Sequence, residues 1–330
     1  MSGVVEDLVA LAQTPAPTFD EDQRLGWLAD RLEGGPGRRD RDGVGNLIWS
    51  WGAGPPRVVI AAHVDTVFPA GTDLAVRTDG DDLVGPGIGD NAAAVAVAVN
   101  VVESLLTDGR ALASAAVAFT VGEEGLGNLR GATEVCSSIR PESFIALEGH
   151  GLDEVLVEAV GSVRARIRVT GPGGHSWESR GTPSAIDGLI AAADRAKALA
   201  TEAAPVNIGT IEGGRSVNTI ADDASLLAER RALDQEPLDE FAQALTSFSL
   251  PDPLHAEVEI VGRRPAGRLD REAPLLRDVL AVRERLGLAT TLGEGSTDAN
   301  AALAAGIPAL CIGVGRGSGH AGRGGRRAAQ

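Results

Sequence analysis

The sequence predicts an α/β protein built on a mixed, mostly parallel sheet with helices on both faces, into which a compact α+β domain is inserted. Short apolar runs alternate with helical patterns in the first part of the chain, as they do in parallel sheets covered on both faces. After Gly161 the strands acquire one polar face, and from about Asp270 the first pattern returns. The 330 residues suffice for two domains, which we expect over residues 1–160 with 270–330 and over residues 161–269.

The first domain begins with two helical patterns separated by the proline-containing turn TPAPTFD. Two β-type runs follow, separated by GAGPP, a hairpin-like break. A helix rich in small residues and two buried-strand runs come next. The helical patterns cover residues 4–13, 21–32 and 91–106, and the strand runs cover residues 46–51, 57–62, 113–121 and 144–147. After the insertion, the chain shows helices over 273–286 and 299–304 and a strand over 309–312.

The insertion has a different pattern, because apolar side chains alternate with arginine over residues 163–169. This period of two indicates a strand with one buried and one wet face. The later elements are a helix over 183–200, strands over 206–211 and 224–231, a helix over 238–248 and a strand over 256–261. The order βαββαβ predicts a compact α+β unit.

The composition argues against several classes of protein. With 30 basic and 46 acidic residues the formal net charge is −16, and a surface of that sign repels phosphate backbones, so we expect no nucleic-acid partner. The N-terminus lacks the basic residues of a signal peptide. The most apolar run, residues 92–106, is interrupted by Asn100 and Glu103 and is too short to span a bilayer. Two isolated cysteines form no disulfide framework. We therefore expect a cytoplasmic protein with no membrane partner.

The run VVIAAHVDTVF ends an apolar strand with His63, Val64 and Asp65. Residues i and i+2 of a strand face the same side. The carboxylate of Asp65 can therefore accept the second ring N–H of His63 and fix its tautomer for metal binding. The alternative is a polar pair at a strand end that binds no metal.

In GPGIGDN, Asp90 follows a glycine-rich turn and precedes a helix. A dinucleotide-binding fingerprint is the competing interpretation, but the third glycine of GxGxxG is missing. Asp90 can also be a helix N-cap, a role that leaves its other oxygen for a metal.

Glu123 and Glu124 follow an apolar strand in AVAFTVGEEGLGNLRGA. Adjacent carboxylates that leave a core repel one another unless a cation or a proton separates them. Neighbours on an extended chain point in opposite directions, so one can bind a metal while the other acts as a base. A solvated loop is the alternative interpretation.

Glu148 ends another apolar run in FIALEGHG, and His320 follows the last strand in GVGRGSGHA. Each of these two residues alone would be read as an ordinary loop residue. However, four β-type runs each deliver a histidine or a carboxylate at their C-terminal ends, the edge where sites form in open α/β sheets. Together with Asp90, they predict a metal site at this edge.

These motifs and their order resemble a family of two-zinc peptidases and amidohydrolases that includes peptidase T, glutamate carboxypeptidase, aminoacylase and succinyl-diaminopimelate desuccinylase. The matching motifs are HVDTVF, GPGIGDN, GEEG, the EG dipeptide at Glu148, GPGGHSW, SVNTIAD, STDAN and GIP. The resemblance covers roughly residues 5–320, and GPGIGDN and GEEGLGNLRGA are most similar to peptidase-T-like members.

The resemblance implies a zinc-dependent hydrolase that cleaves an amide bond in a small peptide or an N-acyl amino acid. His63 and Glu148 would be terminal ligands, Asp90 would bridge two zinc ions, and Glu124 and His320 would complete the opposite ion. Nitrogen and carboxylate ligands around open positions suit catalytic zinc, although cobalt or manganese could replace it.

Two further roles follow from the same resemblance. Glu123 would be the general base that takes a proton from the metal-bound water and delivers it to the leaving amine, and Asp65 would support His63.

The inserted domain would act as a lid and as the contact of a homodimer. The resemblance places His175, in GPGGHSW, against the substrate carbonyl in a partner subunit's site, and Asn218 at a substrate-contacting position. In LLAERRALD, Arg231 falls on the arginine that binds the substrate carboxylate, and Arg230 is the alternative one residue away.

The substrate stays open at this point. Within the family, a glutamate at the position of Glu148 is typical of carboxypeptidases and deacylases, whereas the residues of the other motifs resemble those of peptidase T. An N-acyl-amino-acid deacylase is therefore the alternative to a peptidase. A third hypothesis is a catalytically weak binding or scaffold homologue, because AGRGGRRAAQ follows His320 where the family continues with a C-terminal helix. We expect this low-complexity tail to be flexible.

Overall fold

The computed structural model describes residues 2–108, 113–318 and 326–329. The chain divides into two compact units, one formed by Met1–Ala159 with Arg268–Gln330 and the other by Val160–Gly267. The predicted fold class is confirmed, because the first unit has a mostly parallel sheet with helices on both faces.

The α-helices are α1 (Ser2–Gln13), α2 (Asp22–Arg31), α3 (Ala93–Thr107), α4 (Arg130–Ser138), α5 (Ala185–Lys197), α6 (Gln235–Thr246), α7 (Pro274–Arg285) and α8 (Ala299–Ala304). The strands of the first part of the chain are β1 (Arg38–Arg41), β2 (Leu47–Trp51), β3 (Val58–His63), β4 (Arg77–Asp79), β5 (Asp82–Gly85), β6 (Ala115–Thr120), β7 (Ser143–Glu148) and β8 (Glu154–Ala159). The remaining strands are β9 (Gly161–Thr170), β10 (Gly174–His175), β11 (Val206–Gly213), β12 (Thr219–Ile220), β13 (Asp223–Ala232), β14 (His255–Arg264), β15 (Gly267–Arg268), β16 (Thr291–Gly295), β17 (Ala309–Gly313), β18 (Gly317–Ser318) and β19 (Arg326–Ala329).

The sheet of the first unit has the central order β1-β2-β6-β3-β7-β17-β8. Strand β3 runs parallel to both β6 and β7, and β17 runs parallel to β7. The carboxyl ends of these four strands therefore meet at one edge of the sheet. The predicted hairpin between the runs 46–51 and 57–62 is wrong, because β6 lies between β2 and β3 and pairs with both. The mostly apolar, buried β6 lies between the two runs, so they cannot pair with each other as a hairpin would require.

Helices cover both faces of this sheet. On one face, α1, α2 and α3 pack over a core that includes Trp49 and Phe119. On the other face, α4 and α8 pack over β3, β6, β7 and β17. A π-helical turn, Ile88–Ala92, leads into α3, so the continuous helical stretch Ile88–Thr107 reaches 20 residues and is apolar enough to cross a membrane. In the structure 61% of its most apolar window is buried, which is the environment of a core helix.

The second unit is an antiparallel sheet of order β11-β13-β9-β14 with α5 and α6 packed on one face. Its long elements follow one another as βαββαβ, and the short strands β10 and β12 form a separate pair. The arginines of β9 lie on the face away from the helices, where Arg164 pairs with Glu229 and Arg168 with Asp223. The alternation of arginine with apolar residues in β9 therefore reflects a sheet with one charged, ion-paired face and one buried face.

Candidate metal centre

Three of the chemically important segments reach the same edge of the sheet because their strands are parallel. His63 is the last residue of β3 and Glu148 is the last residue of β7. Glu123 and Glu124 follow β6, which ends at Thr120. Since each strand is apolar and buried up to this point, the polar side chains cluster where the strands leave the core.

His63 is buried, with 2% of its surface exposed. Its Nδ1 lies 3.1 Å from the main-chain oxygen of Asp65 and 3.5 Å from the carboxylate of the same residue. Its Nε2 lies 3.1 Å from Asp90 Oδ1 and 4.0 Å from Glu148 Oε2, yet makes no hydrogen bond within the described residues. An imidazole held at Nδ1 and turned toward carboxylates at an unbonded, buried Nε2 fits a metal ligand.

Two groups of side chains have the composition of metal sites. His63, Asp90 and Glu148 present donor atoms within 4.8 Å of one another, and so do His63, Glu123 and Glu124. One nitrogen with carboxylate oxygens and an open position suits a catalytic zinc. The structure therefore brings together all the predicted ligands that lie within the described residues. The fifth predicted ligand, His320, lies outside them.

Asn91 fixes the position of Glu148, a role that the sequence did not reveal. Its buried side-chain amide donates to the main-chain oxygen of Leu147 at 2.8 Å and accepts from the N–H of Gly149 at 2.9 Å. These bonds hold the backbone on both sides of Glu148, and the peptide bond between Asp90 and Asn91 is cis. The glycine-rich turn is thus tied to the end of β7.

Asp65 holds the turn that contains the two glutamates. Its Oδ1 accepts the N–H of Glu123 and its Oδ2 the N–H of Glu124, both at 2.9 Å. Oδ2 also accepts the hydroxyl of Thr18 at 2.8 Å. The sequence predicted that the carboxylate of Asp65 would accept the ring N–H of His63. In the structure the main-chain oxygen of Asp65 is nearer to that ring than its carboxylate is. The carboxylate also accepts the two N–H groups of the turn that contains Glu123 and Glu124.

The electrostatics of the edge favour a cation. Burial, with repulsion from Asp90 and Glu123, raises the pKa of Glu124 to about 8. Burial also raises the pKa of Glu148 well above its ordinary value, although His63 acts in the opposite direction. Crowded, desolvated carboxylates of this kind hold protons unless a metal ion balances their charge.

Asp298, from the STDAN motif, is a buried carboxylate beside the cluster to which the sequence assigned no role. Its Oδ2 accepts the hydroxyl of Thr120, at the end of β6, and its Oδ1 has no hydrogen-bond partner within the described residues. Burial, with repulsion from Glu123, raises its pKa to about 7. The buried end of β6, just before Glu123, therefore contacts a further carboxylate. The STDAN motif, in which Asp298 directly precedes α8, is the sequence feature that could have indicated this residue.

In the second unit, the structure brings two predicted substrate-binding residues together. His175 ends β10, which pairs with β12, and the N–H of Ser176 donates to the main-chain oxygen of Asn218 at 3.0 Å. Both His175 and Asn218 are exposed. They therefore lie on neighbouring exposed turns.

The two candidate arginines on β13 point to opposite faces of the sheet. Arg230 is 2% exposed and bonds the main-chain oxygen of Pro237 and the carboxylate of Glu240. The side chain of Arg231 is 43% exposed and pairs with Glu229 at 2.9 Å. Arg231 is thus the arginine that a ligand can reach.

A comparison with protein families agrees with this arrangement. The model of peptidase family M20/M25/M40 matches residues 59–324. The chain belongs to this family. The suspected family is therefore confirmed. A peptidase M20 domain-containing protein of Schizosaccharomyces pombe is 28% identical over 227 residues, 66% of this chain and 54% of that protein. The chain thus spans about half the length of this relative.

Two solved structures show the same fold. A tripeptidase from Staphylococcus aureus superimposes with a TM-score of 0.81 at 22% identity, over 99% of this chain and 93% of that one. The aminopeptidase PepT from Bacillus cereus superimposes with a TM-score of 0.76 at 22% identity and the same coverage. At this identity the likeness establishes the architecture.

Proposed function

We propose that this member of the M20/M25/M40 family is a two-zinc hydrolase that cleaves the amide bond of a small peptide or an N-acyl amino acid. The observation that carries the proposal is the buried His63, whose Nε2 has no hydrogen-bond partner within the described chain and faces two groups of carboxylates. A site so acidic and so desolvated would be unstable without cations, whose binding would compensate the repulsion.

The proposed ligands divide between two ions. His63 and Glu148 would hold one ion, Asp90 would bridge, and Glu124 with His320 would hold the other. The first of these sets is supported by donor atoms that converge within 4.8 Å. Cobalt or manganese could take the same ligands, because nitrogen and carboxylate donors select weakly among these metals.

Glu123 is the proposed general base. It is only 4% exposed and its backbone is fixed by Asp65, so its carboxylate is held in a desolvated position. Two zinc ions, when bound, would activate the attacking water and polarise the scissile carbonyl. Glu123 would accept the proton of that water and pass it to the nitrogen of the leaving amine, which then departs neutral.

Arg231 is the proposed anchor for a substrate carboxylate. Its exposed guanidinium can bind a carboxylate with two parallel hydrogen bonds, if the ligand displaces Glu229. A carboxylate is present both at the C-terminus of a peptide and in an N-acyl amino acid. The anchor therefore fits either substrate class.

The deacylase alternative is favoured by Glu148, since a glutamate at this position resembles the carboxypeptidase and deacylase members of the family. Under the scaffold alternative, the protein would bind metal at this cluster but hydrolyse no substrate. One experiment separates all three: zinc content by elemental analysis, with hydrolysis of dipeptides, tripeptides and N-acetyl amino acids measured with and without added zinc.

The expected result is about two zinc ions per chain and chelator-sensitive hydrolysis of at least one substrate class. Preference for free peptides supports the peptidase, and preference for N-acetyl amino acids supports the deacylase. Zinc binding without hydrolysis of any substrate would support the scaffold hypothesis. A protein that neither binds zinc nor hydrolyses any of them would rule out the proposed function.

We also propose that the protein is a cytoplasmic homodimer that joins through the second unit. Strand β11 is an edge strand of its sheet and exposes Ile211, and α5 exposes Ile190. An edge strand and exposed isoleucines are suited to a two-fold contact. Both cysteines, Cys136 and Cys311, are buried free thiols, which suits a reducing compartment.

A further inference from the structure

The turn after β6, which includes the proposed base Glu123, is held by side chains instead of by neighbouring strands. Four successive main-chain N–H groups, those of residues 121–124, each donate to a side-chain oxygen. The acceptors in chain order are Asn46 Oδ1 at 2.9 Å, Glu21 Oε1 at 3.0 Å, Asp65 Oδ1 at 2.9 Å and Asp65 Oδ2 at 2.9 Å. The position of Glu123 therefore depends on side chains from distant parts of the sequence.

Glu21 is the acceptor immediately before the base. It is 5% exposed, and its Oε1 accepts the N–H of Gly122 and, at 3.1 Å, the N–H of Phe19. Both of its oxygens also accept from Arg130 Nη2 at 2.9 Å. Glu21 belongs to neither group of candidate metal ligands among the described residues. Its contacts are therefore with the backbone of the turn and with Arg130.

Arg130 closes the turn from the other side. Its guanidinium carbon lies 5.5 Å from the centroid of the Phe19 ring, and its Nη1 bonds the main-chain oxygen of Val44 at 3.3 Å. Its stem lies against Gly122, where an added Cβ would come within 2.5 Å of Nε. Gly122 has a φ of +64°, a conformation that favours glycine. Gly122 therefore has the greatest backbone freedom of any residue type, while Arg130 leaves no space for a side chain at this position.

We propose that Glu21 is a positioning residue for the general base. Together with Arg130, it fixes the peptide unit before Glu123, while Asp65 fixes the N–H of Glu123 itself. Without Glu21, the N–H of Gly122 loses its acceptor and the glycine regains its freedom, so the carboxylate of Glu123 samples positions away from the attacking water. This inference rests on the proposed function, because it assumes that Glu123 is the base.

The test compares Glu21→Gln and Glu21→Ala with the wild-type protein, each loaded with zinc. Glutamine keeps an oxygen for the N–H of Gly122 but loses the ion pair with Arg130, whereas alanine loses both. We expect both variants to retain two zinc ions per chain and a KM within about twofold of wild type. We expect kcat to fall on the order of 10-fold in Glu21→Ala and less in Glu21→Gln, because small displacements of catalytic groups reduce turnover strongly.

A matched control is Glu142→Gln, which removes a carboxylate from the exposed ion pair with Arg57 and should leave kcat unchanged. Turnover is expressed per folded, zinc-loaded molecule, with the folded fraction taken from thermal unfolding. A purely structural role would lower that fraction and leave kcat per folded molecule intact, which would overturn the proposal. Loss of zinc in Glu21→Gln would also overturn it. If Glu21→Ala does not fold, Glu21→Gln decides alone. Failure of the wild-type protein to hydrolyse any substrate would instead overturn the proposed function.

Discussion

A hydrogen bond of 2.9 Å joins the carboxylate of Asp65 to the main-chain N–H of Glu123. The same carboxylate lies 3.5 Å from the ring of His63. Asp65 therefore links a proposed zinc ligand with the proposed base. Burial would raise the pKa of Asp65, but the hydrogen bonds from His63 and from the turn outweigh it and lower this pKa. Both neighbours present N–H groups to Asp65, and an ionised carboxylate, which only accepts hydrogen bonds, suits them both.

The substitution Asp65→Asn should therefore impair both metal binding and turnover. An asparagine has one acceptor oxygen, so its NH₂ group would face one of the two N–H groups that Asp65 now accepts. We expect zinc affinity to fall by about 10–100-fold and kcat to stay low even at saturating zinc. Zinc titrations with parallel rate measurements check this. Thr18→Val removes a hydroxyl that donates to Asp65 and, at 3.5 Å, to the main-chain oxygen of Thr66, and it should have a smaller effect. Full turnover of Asp65→Asn at saturating zinc would contradict the link.

Glu123→Gln should keep both zinc ions and lose most of its activity. The amide has a similar shape but cannot accept the proton of the attacking water, so we expect kcat to fall by about 10²–10⁴-fold. Elemental analysis and steady-state rates measure the two effects separately. Glu124→Gln is the matched control, and it should lose zinc. If the two variants behave the other way round, the assignments of base and ligand must be exchanged.

Asp90→Ala should be the most damaging loss of a ligand. Asp90 Oδ1 lies 3.1 Å from Nε2 of His63, and the proposal makes Asp90 the bridge between the ions. We expect Asp90→Ala to release both zinc ions and His63→Ala to release mainly one. Zinc per folded chain, measured after dialysis, distinguishes the variants. One ion retained by Asp90→Ala would refute the bridge.

The sequence predicted the parallel strands well, because each of them is an apolar run. It also predicted the polar ends of β3 and β7, which stop at His63 and Glu148. It did not predict α4, Arg130–Ser138, whose hydrophobic side is short and follows glycine-rich residues. It also missed β8, Glu154–Ala159, in which only three consecutive apolar residues lie between Glu154 and Glu158. Strand pairing was the weakest point, since the placement of β6 between β2 and β3 is a long-range contact that no local pattern contains.

Within the site, sequence patterns located the candidate ligands but not the side chains that hold them. Glu21 was read as the first residue of a helical pattern, although in the structure it caps no N–H by its side chain within α2 and bonds Gly122 instead. Asn91 was read as the start of a helix, yet it bridges residues on either side of Glu148. Such roles depend on contacts between residues that are 56 to 101 positions apart, and local periodicity cannot predict them.

The zinc-free protein should become less stable as the pH rises. The folded-state pKa values of about 8 for Glu124 and about 7 for Asp298 exceed the ordinary carboxyl values. The folded state therefore binds more protons than the unfolded state between about pH 4.5 and 8, and its free energy of unfolding falls with pH across that window. Zinc should reverse this slope, because a cation replaces the protons.

Thermal melts from pH 5 to about pH 8, with chelator and with saturating zinc, measure this dependence. We expect the melting temperature of the zinc-free protein to fall and the increment due to zinc to grow as the pH rises. Glu124→Gln removes one of the titrating carboxyls, so the slope of its zinc-free form should be shallower. A zinc increment independent of pH would show that protons and zinc do not compete for these carboxylates.

The last prediction concerns the proposed dimer. If His175 of one copy contacts the substrate in the partner's site, His175→Ala and Glu123→Gln remove different halves of a shared site. Each variant alone should then be nearly inactive. A mixed dimer would combine one intact Glu123 with an intact His175 in one of its two sites and should recover up to about half of the wild-type activity per dimer. Co-expression with two affinity tags, tandem purification and rate measurements test this. Ile190→Asp, on the exposed face of α5, should weaken the dimer and abolish recovery. Mixed dimers of verified composition without recovered activity would mean that each chain builds its site alone.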